Sequence, residues 1–146
     1  MLHEQITILS KYRLDKAKET YATALENLEN DRYLDANNRA YYSIFHAMRA
    51  VLALDGADFK KHSAVISKFR EDYIKTKRLD RVLSDIIGRA SIVRNKSDYE
   101  DFYIASKGEA EEQVSDAKAF IATVEEYLEG RWQDLAVGGE VSPSKT

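Results

Sequence analysis

The stretch Tyr41–Leu54, YYSIFHAMRAVLAL, is apolar almost all the way round a helical wheel. A helix with that pattern is buried on most of its sides. It predicts a central helix from about Arg32 to Leu54, with other helices packed around it. Asp55-Gly56 ends the run, and Gly56 suits the left-handed position that follows a helix C-terminus.

Outward toward the N-terminus, Leu14, Ala17, Tyr21, Leu25 and Leu28 recur at three- and four-residue steps. That spacing predicts a first helix over about Glu4–Leu28, with those side chains on its inner face. Asn30 and Asp31 supply the break, and Asp31 suits an N-cap for the central helix. Outward in the other direction, Ile66, Phe69 and Tyr73 mark a third helix over about Ser63–Ile74, with Ser63 or His62 as its cap. The cations of Lys75-Thr76-Lys77 suit a helix end. Leu79, Val82, Leu83, Ile86, Ile87, Ala90 and Val93 mark a fourth helix over about Leu79–Asn95. Gly88 within it costs about 1 kcal/mol relative to alanine, so either close packing or simple tolerance keeps it there.

A polar loop, KSDYEDFYIA, comes next. Ser106 with Glu109 then reads as a capping box. Ala110, Val114, Ala117, Ile121, Val124 and Leu128 carry a fifth helix that Gly130 can close. The expected organisation is all-α: one up-and-down antiparallel bundle of about five helices over residues 1–130. A flexible tail over 131–146 would follow, from which Trp132 can still dock.

The totals agree with one domain of 146 residues. The absence of cysteine excludes a disulfide framework, a thiolate metal site and a cysteine nucleophile. No apolar run nears the roughly 18 residues of a membrane span, and the N-terminus lacks a signal-peptide layout. A cytoplasmic protein with no membrane association is therefore expected. The formal net charge of −3 argues against broad coating of nucleic acid, and no DNA sequence recognition is expected. Charge is nevertheless uneven. Lys60–Lys96 holds eleven basic and four acidic residues, and the remainder holds eleven basic and twenty-one acidic. This basic third is either solvated surface or an anion-facing face.

Polar groups on the central helix keep helical spacing: Arg39, Tyr42, Ser43, His46 and Arg49. Charges there are costly unless paired or wet. They either bound the buried face, with His46 bonded to a carbonyl, or line a cleft or dimer seam. Arg94 ends the stripe of the fourth helix, with Asp98 and Tyr99 four and five residues on. Arg94 and Asp98 can form an ion pair that closes the helix, or Arg94 can hold a phosphate with its forked donors. His62 follows Lys60-Lys61 and suits a cap or packed turn. Tyr41, Phe45, Phe69 and Tyr73 suit the core. Asp98, Glu100 and Asp101 lack converging histidines, so no metal site and no cofactor are expected, and there is no Gly-rich phosphate loop.

Taken in order, RAYYSIFHAMRAVLALDG, KKHSAVISKF and RNKSDYEDFY resemble the HEPN family, in particular its small stand-alone prokaryotic, UPF0332-like branch. The likeness runs from about Arg32 to Leu128. It implies a four- or five-helix bundle that pairs into a homodimer. In active members an arginine, followed four to six residues later by a histidine, forms a metal-independent RNA-cleaving site across the dimer. Several act as toxins beside a nucleotidyltransferase antitoxin. Arg94 matches the family arginine. Tyr99 stands where the histidine is expected, and the only histidines are His3, His46 and His62. A free tyrosine, with a pKa near ~10, is a poor base at neutral pH, whereas histidine titrates there.

The resemblance therefore implies a homodimer that binds a nucleotide or RNA at its cleft. Arg94 would be the phosphate clamp and Asp98 its orienting partner, with Arg39, Tyr42, His46 and Tyr99 around them. Three alternatives stay open: a ribonuclease that uses Tyr99 or His46, a structural or adaptor dimer, and nucleotidyl transfer by a partner onto Tyr99 or Tyr103.

Overall fold

A computed structural model describes residues 3–137. The chain folds as an antiparallel bundle of five helices: α1 (His3–Glu29), α2 (Tyr33–Leu52), α3 (His62–Phe69), α4 (Val82–Tyr99) and α5 (Lys107–Val137). As its composition dictates, α2 lies at the centre and packs against all four others. Its Ile44, Phe45, Met48, Val51 and Leu52 are buried, each stabilising the fold by about 1.5–3 kcal/mol. The α5 stripe is buried in full, from Ala110 to Leu128.

The inner face of α1 is the expected one in Leu14 and Ala17, which are buried, and in Tyr21 and Leu28, which pack on the core, but Leu25 is 36% exposed and Ser10, Arg13, Thr20 and Ala24 are buried beside them. Small side chains at 17, 20 and 24 let the backbone of α1 lie close to its neighbours, which wins over burying one leucine more. Arg13 is drawn inward with them.

Several helix ends differ from expectation. Asp31 does not cap α2: it adopts a left-handed turn (φ 59°) and accepts a hydrogen bond from the Tyr33 hydroxyl. Neither Ser63 nor His62 caps α3, because Lys61 holds the N-cap position without a side-chain bond and His62 is already helical. After Phe69 the chain widens into a π-turn over Arg70–Ile74. α4 starts at Val82, whose N–H is accepted by the Asp80 carboxylate, and it runs four residues beyond Asn95. Arg94, Asp98 and Tyr99 therefore share one helix.

Gly56 takes the left-handed conformation anticipated for it, with φ 69°. Ser106 accepts the Glu109 N–H as half of a capping box, but the Glu109 carboxylate accepts from Asn37 of α2 instead of completing it. Gly130 does not close α5, which continues to Val137. Residues 131–137, assigned to the tail on sequence, are helical because Trp132 and Leu135 pack on the core. The Trp132 Nε1–H donates to Ser10 Oγ at 2.9 Å, and Ser10 Oγ donates to the Ala50 carbonyl at 2.8 Å. Residues 138–146 of the expected tail lie outside the described residues.

Candidate functional site

Arg94 emerges one turn before the C-terminal end of α4 and lies across the aromatic face of α2. Its guanidinium carbon is 4.9 Å from the Tyr41 ring centre and 5.9 Å from that of Tyr42. The central helix places two adjacent tyrosines at this point, and the cation lies against both rings. Arg94 Nη1 donates to the Tyr41 hydroxyl at 3.5 Å. Its Nε faces Asp98 Oδ2 at 3.4 Å, an ion pair without hydrogen-bond alignment, and among the described residues this buried Nε has no hydrogen-bond acceptor. Burial works against the charge of Arg94, but Tyr41, Tyr42 and Asp98 outweigh it, so its pKa moves up and the group stays a cation.

The Tyr41 hydroxyl also stands 3.0 Å from His62 Nδ1. His62 reaches it from the first turn of α3, with its ring stacked on Phe45 at 4.1 Å between centres. Burial, then Arg94 and Arg49, lower the His62 pKa, so its ring is neutral at pH 7. Burial raises the Tyr41 pKa in spite of Arg94. The Arg94 N–H donates to the Tyr41 oxygen, and the Tyr41 hydroxyl is placed to donate to His62 Nδ1 when the neutral ring carries its proton on Nε2.

Arg39 also lies against Tyr42, with its guanidinium carbon 5.1 Å from that ring centre. Its Nε and Nη2 donate to Asn38 Oδ1. Arg39 and Arg94 therefore both lie against one half-buried tyrosine. Of the residues singled out on sequence, the fold brings together Arg94, Asp98, Tyr42 and Arg39. Tyr99 has no described contact with Arg94 and is 79% exposed. His46 borders the cluster but has no described contact with Arg94. Its ring touches Tyr42 and Phe45, and burial, then Lys16, Arg49, Arg39 and His62, hold its pKa down to about 4. Ser43 is buried and bonded to the Ala40 carbonyl.

Tyr41 and His62 were not anticipated in this cluster. Tyr41 lies in an apolar run and reads as core, and His62 arrives from a separate helix. The signal available was the string Lys60-Lys61-His62-Ser63, which opens the basic third. Part of that basic charge is used internally. Lys68 pairs with Asp72, Arg89 with Asp116, and Arg70 donates to Ser84. An open groove of about 470 Å³ runs between α3, the π-turn and α4, lined by Ser63, Ile66, Ser67, Arg70, Glu71, Lys75 and Ser91. It begins at the residue after His62 and one helical turn before Arg94. Among the described residues no group of three or more His, Asp or Glu is placed to hold a metal ion. No described helix is long and apolar enough to cross a membrane.

The sequence profile of the HEPN domain matches residues 10–127, which spans α2, α3 and α4 and most of α1 and α5. The chain belongs to the HEPN domain family. A UPF0332 protein of Thermotoga maritima is 27% identical over 128 residues, 88% of this chain and 96% of its own length. Two proteins of Methanocaldococcus jannaschii carry names that call them candidate toxins. One is 34% identical over 116 residues, 79% of this chain and 78% of its own. The other is 30% identical over 115 residues, 79% of this chain and 85% of its own. All three alignments are long enough to draw on both the central helix and the helix of Arg94 in this HEPN chain.

Proposed function

We propose that this HEPN protein binds the phosphate of RNA or of a nucleotide at the Arg94 cluster, as a homodimer, within a prokaryotic toxin–antitoxin or defence setting. The observation that carries the proposal is the state of Arg94. It is a half-buried, permanently charged guanidinium whose Nε has only a loose contact with Asp98. Such a group is prepared for an anion with two oxygens. Arg39 against the Tyr42 ring supplies a second cation, and the groove beside Ser91 gives an extended ligand a path. Exposed Ile92, Tyr99, Phe102 and Ile104, on α4 and just beyond it, offer an apolar surface to a second copy. The toxin setting and a nucleotidyltransferase partner rest on the family and on the names of the two archaeal relatives.

A metal-independent ribonuclease is the second reading, favoured by the 3.0 Å contact of Tyr41 with His62. Cleavage through the 2′-hydroxyl needs a proton acceptor, a proton donor and a cation for the phosphorane. Neutral His62, with Tyr41 between it and Arg94, supplies an imidazole that position 99 lacks.

The deciding experiment incubates total RNA with the wild type and with Arg94→Ala, free of metal, and measures RNA binding and dimer mass on the same samples. Binding by the wild type, weakened at least about tenfold by Arg94→Ala with the dimer intact, is the expected result. Equal binding by the two proteins overturns the Arg94 site. Cleavage by the wild type alone makes the protein an enzyme. No binding by either protein leaves an adaptor dimer as the function.

A further inference from the structure

A second cationic cluster lies on the α1–α2 side and shares no residue with the Arg94 cluster. Arg13 of α1 keeps only 10% of its side chain exposed. Its Nη1 donates to the Arg49 carbonyl at 3.1 Å, which fixes the guanidinium in place. Arg13 Nη2 and Arg49 Nη2 then converge on a single atom, Asp58 Oδ1, at 3.4 and 2.7 Å. Two guanidinium groups thus share one carboxylate oxygen. Among the described residues Arg49 Nε, which is buried, has no acceptor. On a guanidinium, Nε and Nη2 form one edge whose two N–H groups point the same way, and half of that edge is unused here.

The surroundings add positive charge. Burial, then Arg49, lower the pKa of Arg13, and Asp58 acts against them. Lys60 bears on Asp58, and Lys16 with Arg49 bears on His46 next along the half-buried face of α2. An unbalanced, partly desolvated pair of arginines is costly unless an anion completes it.

We propose that Arg13 and Arg49 form a phosphate-binding site that Asp58 occupies as an internal stand-in. Asp58 suits that role. It belongs to the short connection between Gly56 and Lys61, its side chain is 62% exposed, and it is held through one oxygen. A tetrahedral phosphate places two oxygens on the Nε and Nη2 of Arg49 and a third on Nη2 of Arg13. A planar carboxylate has two oxygens for these three donors. Phosphate therefore matches the donor set, and Asp58 swings into solvent when it binds. The site stands independently of the Arg94 proposal.

The probe is inorganic phosphate, titrated calorimetrically at constant ionic strength with acetate as the control anion. Asp58→Asn removes the competing charge and is expected to tighten phosphate binding at least about tenfold over wild type. Adding Arg94→Ala to Asp58→Asn removes the Arg94 cleft from the signal and leaves that affinity in place. Adding Arg49→Lys, which keeps the charge and loses the edge, abolishes the gain. The proposal is overturned if Asp58→Asn binds phosphate no more tightly than wild type. It is equally overturned if Arg94→Ala removes the binding, or if acetate binds as well as phosphate. The Asp58→Asn comparison decides by itself should the Arg49 variant fail to fold.

Discussion

The Tyr41 hydroxyl lies 3.0 Å from His62 Nδ1, although twenty-one residues separate the two along the chain. The contact depends on the turn at Gly56, which brings α3 back against the middle of α2. It also gives Arg94 an oxygen to donate to, so three side chains from three helices act as one unit.

Tyr41→Phe and His62→Gln are expected to cost stability non-additively. Each single change removes the same hydrogen bond, worth about 1 kcal/mol net. A double-mutant cycle by urea denaturation should return a coupling energy of that size. Strictly additive losses would mean that the contact does not form in solution.

Stability should fall as acid is added below neutrality. The pKa of His46 is about 4 in the folded chain, against 6.5 for an ordinary histidine, so the unfolded chain takes up the proton first. The stabilisation is fully present above about pH 6.5 and is lost progressively down to about pH 4, below which it is flat. Lys16, Arg49, Arg39 and His62 all press in that direction, and the depressed pKa of His62 adds to it. His46→Gln should flatten the fall by on the order of 2 kcal/mol in denaturant titrations at pH 7 and pH 4. An unchanged slope would place the imidazole in water.

Gly88→Ala should stabilise the protein by up to about 1 kcal/mol, visible as a higher Tm. An added methyl group meets only the Arg70 Nη2 at 3.8 Å, an ordinary contact. Of the two explanations open at the level of sequence, tolerance fits and obligatory close packing does not. A lower Tm would show that Arg70 cannot hold its bonds to Ser84 beside the methyl.

Ser10→Ala should destabilise by about 1–3 kcal/mol in thermal unfolding. It removes a buried donor to the Ala50 carbonyl and leaves the Trp132 Nε1–H without its acceptor. A change of less than about 0.5 kcal/mol would show that water replaces both bonds.

What the sequence made legible follows from how local each feature is. The central helix, the α5 stripe and the pairing of Arg94 with Asp98 depend on spacing along one helix, and all are present. The Tyr41–His62 contact depends on the path of a connection, which periodicity does not encode. An aromatic residue in an apolar run reads as core whether or not its hydroxyl meets a partner. Gly130 illustrates a second limit. Its intrinsic penalty predicts a helix end, yet Trp132 and Leu135 gain burial by continuing, and that gain is larger. The split of the α2 stripe into an Arg94 side and an Arg13 side was equally invisible, since it is made by the neighbouring helices.

Trp132 is the single indole in the chain. Its docking onto Ser10, with the Lys11 ammonium 5.4 Å from the ring centre, ties the last turns of α5 to the first turns of α1. Fluorescence excited at the red edge of aromatic absorption therefore comes from one place, the seam where the two termini of the bundle meet. Its emission colour and its quenching by iodide report whether that seam is shut, separately from the helix content seen by circular dichroism. The molecule carries its own optical gauge of end-to-end closure, and no label has to be attached to read it.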